Sequence, residues 1–412
     1  MLDIHIHRRA LGLVEEALQD TRVVLVTGPR QAGKTTLVEQ FASPERPYVT
    51  LDDAATLTAA RRDPTGFIRS LGRAVIDEIQ RAPELLLAIK VAVDLDKSPG
   101  RFLLTGSANI MALPTIGDSL AGRIALVELM PLSQAEITGG RGEFVDRLFA
   151  GEPLNVTQPP IVGAALNDIV LTGGYPEALK RSSARRRVAW FADYLQLVID
   201  RDARETASIE QLDRLPTLVA HLAEQAGSGV NISNLANTLQ MSRQTVARYV
   251  EALERVFMIR SLPPWYSNRV SRLAKTPKLQ FFDSGLLAAQ LGITAIDPIK
   301  PPAIRGALFE TFVHGELRKL MGWAQTHTTL CHFRTRENEE VDFVLEDRRG
   351  RIVGIEVKAS ATLRRGDFAG LRKLEAAAGD RFVAGLILHD HDRITPISER
   401  IRGAPLSLLW TE

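Results

Sequence analysis

The sequence predicts an α/β protein built from successive domains, and three observations carry that expectation. A glycine-rich G-x-x-x-x-G-K-T segment stands near the start, after an apolar run and before a helical pattern. Two helical patterns separated by a tight turn occupy the middle and lead into a basic segment. Near the end, Asp342 and the triplet Glu356-x-Lys358 fall in successive strand-like runs. A chain of 412 residues, 45% of them hydrophobic, is long enough for two or three domains with cores of their own.

The totals set limits. A formal net charge of +2 gives no bulk attraction to nucleic acid, so any basic surface is local. The single cysteine, Cys331, excludes an internal disulfide. The most apolar stretch, Leu85 to Leu95, is broken by Lys90 and Asp94, so no membrane span is expected. Nothing at the N-terminus resembles a secretory signal, which makes cytoplasm the expected location.

Residues 8–20 place Leu11, Val14 and Leu18 on one helical face, and Val23–Val26 is an apolar strand. The phosphate-binding loop follows as Gly28, Pro29, Arg30, Gln31, Ala32, Gly33, Lys34, Thr35 and Thr36, the expected ATP ligands. Its glycines let successive backbone N–H groups turn toward phosphate oxygens, and the next helix adds its positive end. Lys34 is placed to reach the β- and γ-phosphates and Thr35 to hold Mg²⁺. A second strand is expected at 47–51. Arg73–Ile79 (RAVIDEI) has the form of a Walker B strand, with Asp77 near the Mg²⁺ and Glu78 orienting the attacking water. A strand at 101–105 leads into Ser107 and Asn109, either of which is a candidate to contact the γ-phosphate or the water. Arg123 opens the strand 124–129. It reads either as a group that stabilises the transferring phosphoryl, within its own subunit or across an oligomer interface, or as a surface arginine.

The ordered segments TGPRQAGKTTL, VIDEIQ, LLTGSAN, SLAGRIALVELMPLSQAEI and GGYPEAL resemble a prokaryotic family of AAA-type ATPases that carry a restriction-endonuclease-like C-terminal domain. The resemblance spans nearly the whole chain. It implies a P-loop AAA-type core with an additional strand, a helical lid and a homo-oligomer, but supplies no substrate. Residues 139–165, rich in Gly and Pro, read as an exposed loop or insertion, and Arg185–Arg187 read either as a solvated basic helix face or as a nucleic-acid contact.

In the middle domain, expected at 211–297 after an ATPase core and lid at 1–210, Ser233 is the expected cap of a short helix. Ser242 is the expected cap of a longer helix through Arg255. The longer helix carries Arg243, Gln244, Thr245 and Arg248 near its start, where a helix-turn-helix faces the major groove. Arg260 to Lys278 contains Arg269, Arg272, Lys275, Trp265 and Tyr266 and no acid, which reads as the basic β-wing of a winged helix. DNA is the expected partner.

The last domain, expected at 298–412, begins with an amphipathic helix containing Glu310. Asp342 sits in one strand, and Glu356 and Lys358 share a face of the next. Two carboxylates and a lysine on one face are a set that holds Mg²⁺ and polarises water against a phosphodiester. The arrangement resembles the PD-(D/E)xK nuclease core. By that resemblance Asp342 and Glu356 are metal ligands, Lys358 stabilises the nucleophile or the phosphorane, and Glu310 assists. Val341 stands where the motif has proline. The expected activity is ATP hydrolysis coupled to DNA binding and to metal-dependent cleavage. The alternative is a nucleotide-dependent switch that binds a protein or DNA without cutting.

Overall fold

The run Val23–Val26 is apolar at every position because both faces of its strand are covered. The structure, a computed structural model, describes residues 6–107, 120–203, 212–266, 277–295 and 302–411. The chain divides into two units. One comprises 1–132 with 200–208 and 255–257, and the other 133–199 with 209–254 and 258–412.

In the first unit, β1 (Val23–Thr27), β2 (Tyr48–Thr50), β3 (Ala74–Asp77), β4 (Phe102–Gly106) and β5 (Ile124–Glu128) form a parallel sheet in the order β2-β3-β4-β1-β5. Val23 and Leu25 pack on one face with Ile76, Ile89 and Phe102, while Val24 and Val26 pack on the other with Val14, Leu37 and Leu103. Strand β4 lies between β1 and β3, so an additional strand separates the P-loop strand from the Walker B strand, as expected. Because all strands run the same way, Thr27, Asp77 and Gly106 end at one edge, and the loops that follow them meet there. The β2–β3 connection is two helices, Ala54–Arg62 and Pro64–Leu71. Asp53 caps the first through Thr56 N–H at 2.7 Å, and Asp63 caps the second through Gly66 N–H at 2.8 Å.

In the second unit, Ser133 and Glu136 close a capping box on the helix Gln134–Thr138. The stretch 139–165 is not wholly a loop. It contains the helix Phe144–Ala150, whose Phe144, Val145, Leu148 and Phe149 are buried; the surrounding Gly and Pro residues mask this short apolar pattern. In the GGYPEAL segment, Gly174 N–H donates to Asp283 Oδ2 at 2.8 Å. Gly173 has φ 70°, and a Cβ there would run into the same carboxylate.

The helices Leu215–Glu224, Ile232–Leu239 and Arg243–Arg255 precede a hairpin of β6 (Ile259–Leu262) and β7 (Lys278–Phe281), with Gly229 bridging Lys278 as a further short strand contact. Asn231, not Ser233, caps the second of these helices. Its Oδ1 accepts from Ser233 N–H at 2.9 Å and Asn234 N–H at 3.1 Å, because the helix begins at Ile232, two residues earlier than a Ser233 cap would start it. Ser242 caps the third as expected, accepting from Thr245 N–H at 3.0 Å.

The helix Pro302–Trp323 then leads into β8 (Thr328–Arg334), β9 (Glu340–Asp347) and β10 (Ile352–Lys358), which are antiparallel neighbours. A crossover through the helix Ala369–Ala378 returns the chain to β11 (Phe382–His389), parallel to β10, and β12 (Thr395–Pro396) and β13 (Ile401–Pro405) complete the order β12-β13-β11-β10-β9-β8. At the β8 edge, His332 N–H donates to Pro263 O at 2.9 Å. Trp265 is buried there among Phe333, Val341 and Leu371. Trp265 is therefore a core residue and not a wing aromatic: the segment after β6 extends this sheet. Among the described residues no helix is long and apolar enough to cross a membrane.

Candidate functional site

The nucleotide site assembles where β1, β3 and β4 end. Gly28 (φ 154°) and Gly33 (φ 97°) hold conformations that an L side chain resists, and a Cβ on Gly28 would collide with the Leu129 carbonyl. Gln31 adopts φ 59° between them. The buried Lys34 ammonium donates to the carbonyls of Gly28 at 3.0 Å and Pro29 at 2.8 Å, which keeps its charge within the loop. Arg8 braces the loop from outside, donating to Ala32 O at 2.7 Å and Met130 O at 2.6 Å. Thr36 is exposed.

Asp77 is buried and receives the Thr35 hydroxyl on Oδ2 at 3.1 Å, the Tyr48 hydroxyl on Oδ2 at 2.8 Å and the Thr105 hydroxyl on Oδ1. Burial and the Asp77 carboxylate push the Tyr48 phenol above its ordinary range, so it stays a donor. A hydroxyl beside an oriented carboxylate suits Mg²⁺, and Thr35 and Asp77 are the residues that would hold it; the ion would neutralise phosphate charge. Glu78 stands in the left-handed region at φ 61°, its N–H donating to Thr105 Oγ1 at 3.0 Å. A non-glycine residue in that region carries a cost of about 1–3 kcal/mol, repaid here by surrounding bonds. Gln80 donates to Glu78 Oε2 and, at 2.8 Å, to Ser107 Oγ, linking the Walker B strand to the end of β4.

Of the two candidates after β4, Ser107 is joined to Glu78 through Gln80, whereas Asn109 lies outside the described residues. Arg123 does not reach the P-loop of its own chain. It precedes β5, which runs parallel to β1, so it lies at the opposite sheet edge, where it grips Asp94 through Nε at 2.6 Å and Nη2 at 3.0 Å. Gln80, Thr105, Tyr48 and Arg8 escaped the sequence reading. Gln80 follows the Walker B acids inside VIDEIQ, which is a signal, whereas Tyr48 and Arg8 carry none.

In the second unit the expected acids and lysine do meet. Asp342 Oδ2 accepts from Val357 N–H at 2.9 Å, Asp342 N–H donates to Glu356 Oε2 at 3.3 Å, and Lys358 Nζ donates to Glu356 Oε1 at 2.7 Å. Glu310 joins from the helix Pro302–Trp323. However, Lys278, expected on a DNA-facing wing, is buried here. Its Nζ lies 3.2 Å from Glu310 Oε1 and 3.3 Å from Asp342 Oδ1 and also pairs with Glu340. Burial, joined by the charge of Asp342, raises Glu310 to about 8 and holds Glu356 well above the usual carboxylate range. Burial alone would lower Lys278, but Asp342, Glu310 and Glu340 outweigh it and raise the ammonium. These carboxylates do not fit a metal as they stand: an ammonium occupies the place of the cation, and no acid or histidine group suited to a metal occurs among the described residues.

On the helix Arg243–Arg255, Arg243, Gln244 and Arg248 are exposed, while the half-buried Thr245 is drawn into the cap through a 2.8 Å contact with the Ser242 hydroxyl. Arg269, Arg272 and Lys275 lie outside the described residues.

Comparison with known proteins places family models along the chain: an AAA domain over residues 20–138 and two domains of unknown function, DUF8612 over 163–297 and DUF4143 over 305–409. Uncharacterized protein Rv2008c of Mycobacterium tuberculosis and Uncharacterized protein Mb2031c of Mycobacterium bovis are each 31% identical over 410 residues, covering 98% of this chain and 84% of theirs. An uncharacterized protein of Haemophilus influenzae is 22% identical over 226 residues, 53% of this chain and 52% of its own. Among solved structures, AMPPCP-bound DnaA from Aquifex aeolicus aligns at 12% identity with a TM-score of 0.28, covering 59% of this chain and 86% of that one. The Bacillus subtilis DNA clamp loader delta protein aligns at 13% with a TM-score of 0.26, covering 59% and 87%. These two structural likenesses are too slight to carry an argument. The chain belongs to the same family as the two mycobacterial proteins, and its N-terminal part is an AAA-type P-loop ATPase domain.

Proposed function

We propose that the protein is an ATP-hydrolysing switch whose nucleotide state governs its hold on duplex DNA. The observation that carries the reading is the arrangement behind the P-loop, where Thr35 and Asp77 adjoin and Glu78 is fixed in a strained conformation by Thr105 and Gln80. In this reading Lys34 binds the phosphates, Thr35 and Asp77 hold the Mg²⁺, and Glu78 orients the attacking water. The order of three helices and a hairpin supports a winged helix, with Arg243, Gln244 and Arg248 as its groove-facing side chains. The run helix, three antiparallel strands, crossover helix and parallel strand supports a restriction-endonuclease-like C-terminal fold around Asp342, Glu356 and Lys358. Self-association into a homo-oligomer and a cytoplasmic setting complete the reading. Arg123, if it meets a phosphate, does so from a neighbouring copy.

The seat of Lys278 among the carboxylates favours binding without cleavage over cutting. The test pairs ATP turnover with duplex binding. Lys34→Ala and Glu78→Gln lose hydrolysis, and Glu78→Gln, loaded with ATP, differs from the nucleotide-free protein in its affinity for a labelled duplex. Hydrolysis at the parental rate in either variant overturns the ATPase assignment. Duplex affinity indifferent to nucleotide overturns the coupling.

A further inference from the structure

Lys278 reaches the C-terminal carboxylates from a strand of the preceding hairpin. Its side chain is only 4% exposed, and its partners come from two elements, Glu310 from the helix Pro302–Trp323 and Glu340 and Asp342 from β9. Two residues along β7, on the same face, Gln280 donates to Glu310 Oε1 at 2.6 Å and accepts from the Thr311 hydroxyl at 3.1 Å. The turn at Gly227 covers Glu310 from another side. Gly227 N–H donates to Leu279 O at 2.9 Å, and a Cβ on Gly227 would come within 2.9 Å of Glu310 Oε2. The ammonium is thus held by its own strand, by the residue beside it and by a roof over its partner.

Mg²⁺ needs carboxylate oxygens drawn in to about 2.0–2.1 Å, with several waters kept around it. An ammonium seated 3.2 Å and 3.3 Å from Glu310 and Asp342 leaves no room for that shell and adds like-charge repulsion. We propose that Lys278 is a latch: a tethered cation, seated among Glu310, Glu340 and Asp342, that keeps divalent metal out of the C-terminal carboxylate set for as long as β7 stays in place. The inference rests on reading Asp342 and Glu356 as a metal-binding pair.

Lys278→Met keeps the aliphatic stem and removes the charge. The assay is Mn²⁺ binding to the full chain by electron paramagnetic resonance without nucleotide, all proteins carrying Thr35→Ala so that the P-loop contributes nothing. Lys278→Met gains one site at least about tenfold tighter than any in its Lys278 counterpart, a difference readable directly as a dissociation constant. Adding Asp342→Asn abolishes it. An Asp342-dependent Mn²⁺ site that is equally tight with and without Lys278 overturns the latch and leaves the metal-binding pair standing. Absence of any Asp342-dependent site in both proteins overturns the metal-binding reading beneath it. A second measurement holds if Lys278→Met does not fold. Mass-spectrometric mapping of acetic anhydride labelling finds Lys278 of the parent protected with and without millimolar Mn²⁺, and labelling induced by the metal overturns the latch.

Discussion

Thr105 is fully buried, and its hydroxyl joins the two Walker B acids, donating to Asp77 and accepting from the Glu78 N–H at 3.0 Å. Thr105→Val keeps the shape of the side chain and removes both bonds. A buried donor left unsatisfied costs about 1–3 kcal/mol. Glu78 already stands at φ 61°, a conformation worth about 1–3 kcal/mol of strain, so the lost bond releases the backbone that aims its carboxylate. With about 2 kcal/mol of positioning removed at 1.36 kcal/mol per decade, kcat for ATP falls about 30-fold. Lys34 and the P-loop are untouched, so KM moves less than about threefold. Steady-state phosphate release reads both constants. Thr105→Ser, which retains the hydroxyl, recovers most of the rate and excludes a general folding defect. The reasoning is refuted if the valine variant stays within about twofold of the parent in kcat, or if serine is as impaired as valine.

Gln80→Leu cuts the link between Glu78 and Ser107 and lowers kcat about tenfold or more in the same assay, with nucleotide affinity by equilibrium binding unchanged. Gly28→Ala does the reverse: the added methyl meets the Leu129 carbonyl, and calorimetry shows ATP binding lost. Arg123→Ala leaves turnover within about twofold of the parent, because its guanidinium is engaged by Asp94 at the far edge of the sheet. Trp265→Ala opens a cavity against Phe333, Val341 and Leu371 and removes about 3–5 kcal/mol from the second unit, read from denaturant midpoints.

The P-loop was legible from sequence because its chemistry is contiguous: Gly28, Gly33, Lys34 and Thr35 act through neighbouring backbone and need only the strand before them and the helix after. Asp77 and Glu78 were legible because they end an apolar strand. Asp342, Glu356 and Lys358 were legible because the two-residue period of a strand places Glu356 and Lys358 on one face. Strand order is set between elements: the family resemblance implied the strand between β1 and β3, but no local pattern gave the place of β5 or the side chains that meet across strands. That β5 runs parallel beside β1 puts Arg123 at the wrong end for the phosphates of its own chain, and that β4 lies against β3 brings Thr105 and Ser107 to Asp77 and Gln80. Lys278 is the sharpest case. In a segment of basic residues it has the signature of a nucleic-acid contact, because composition reports charge and not surroundings. Only the packing of β7 against the helix that carries Glu310, and against β9, shows that its charge is spent inside the protein, where a buried ammonium must find carboxylates to be stable at all.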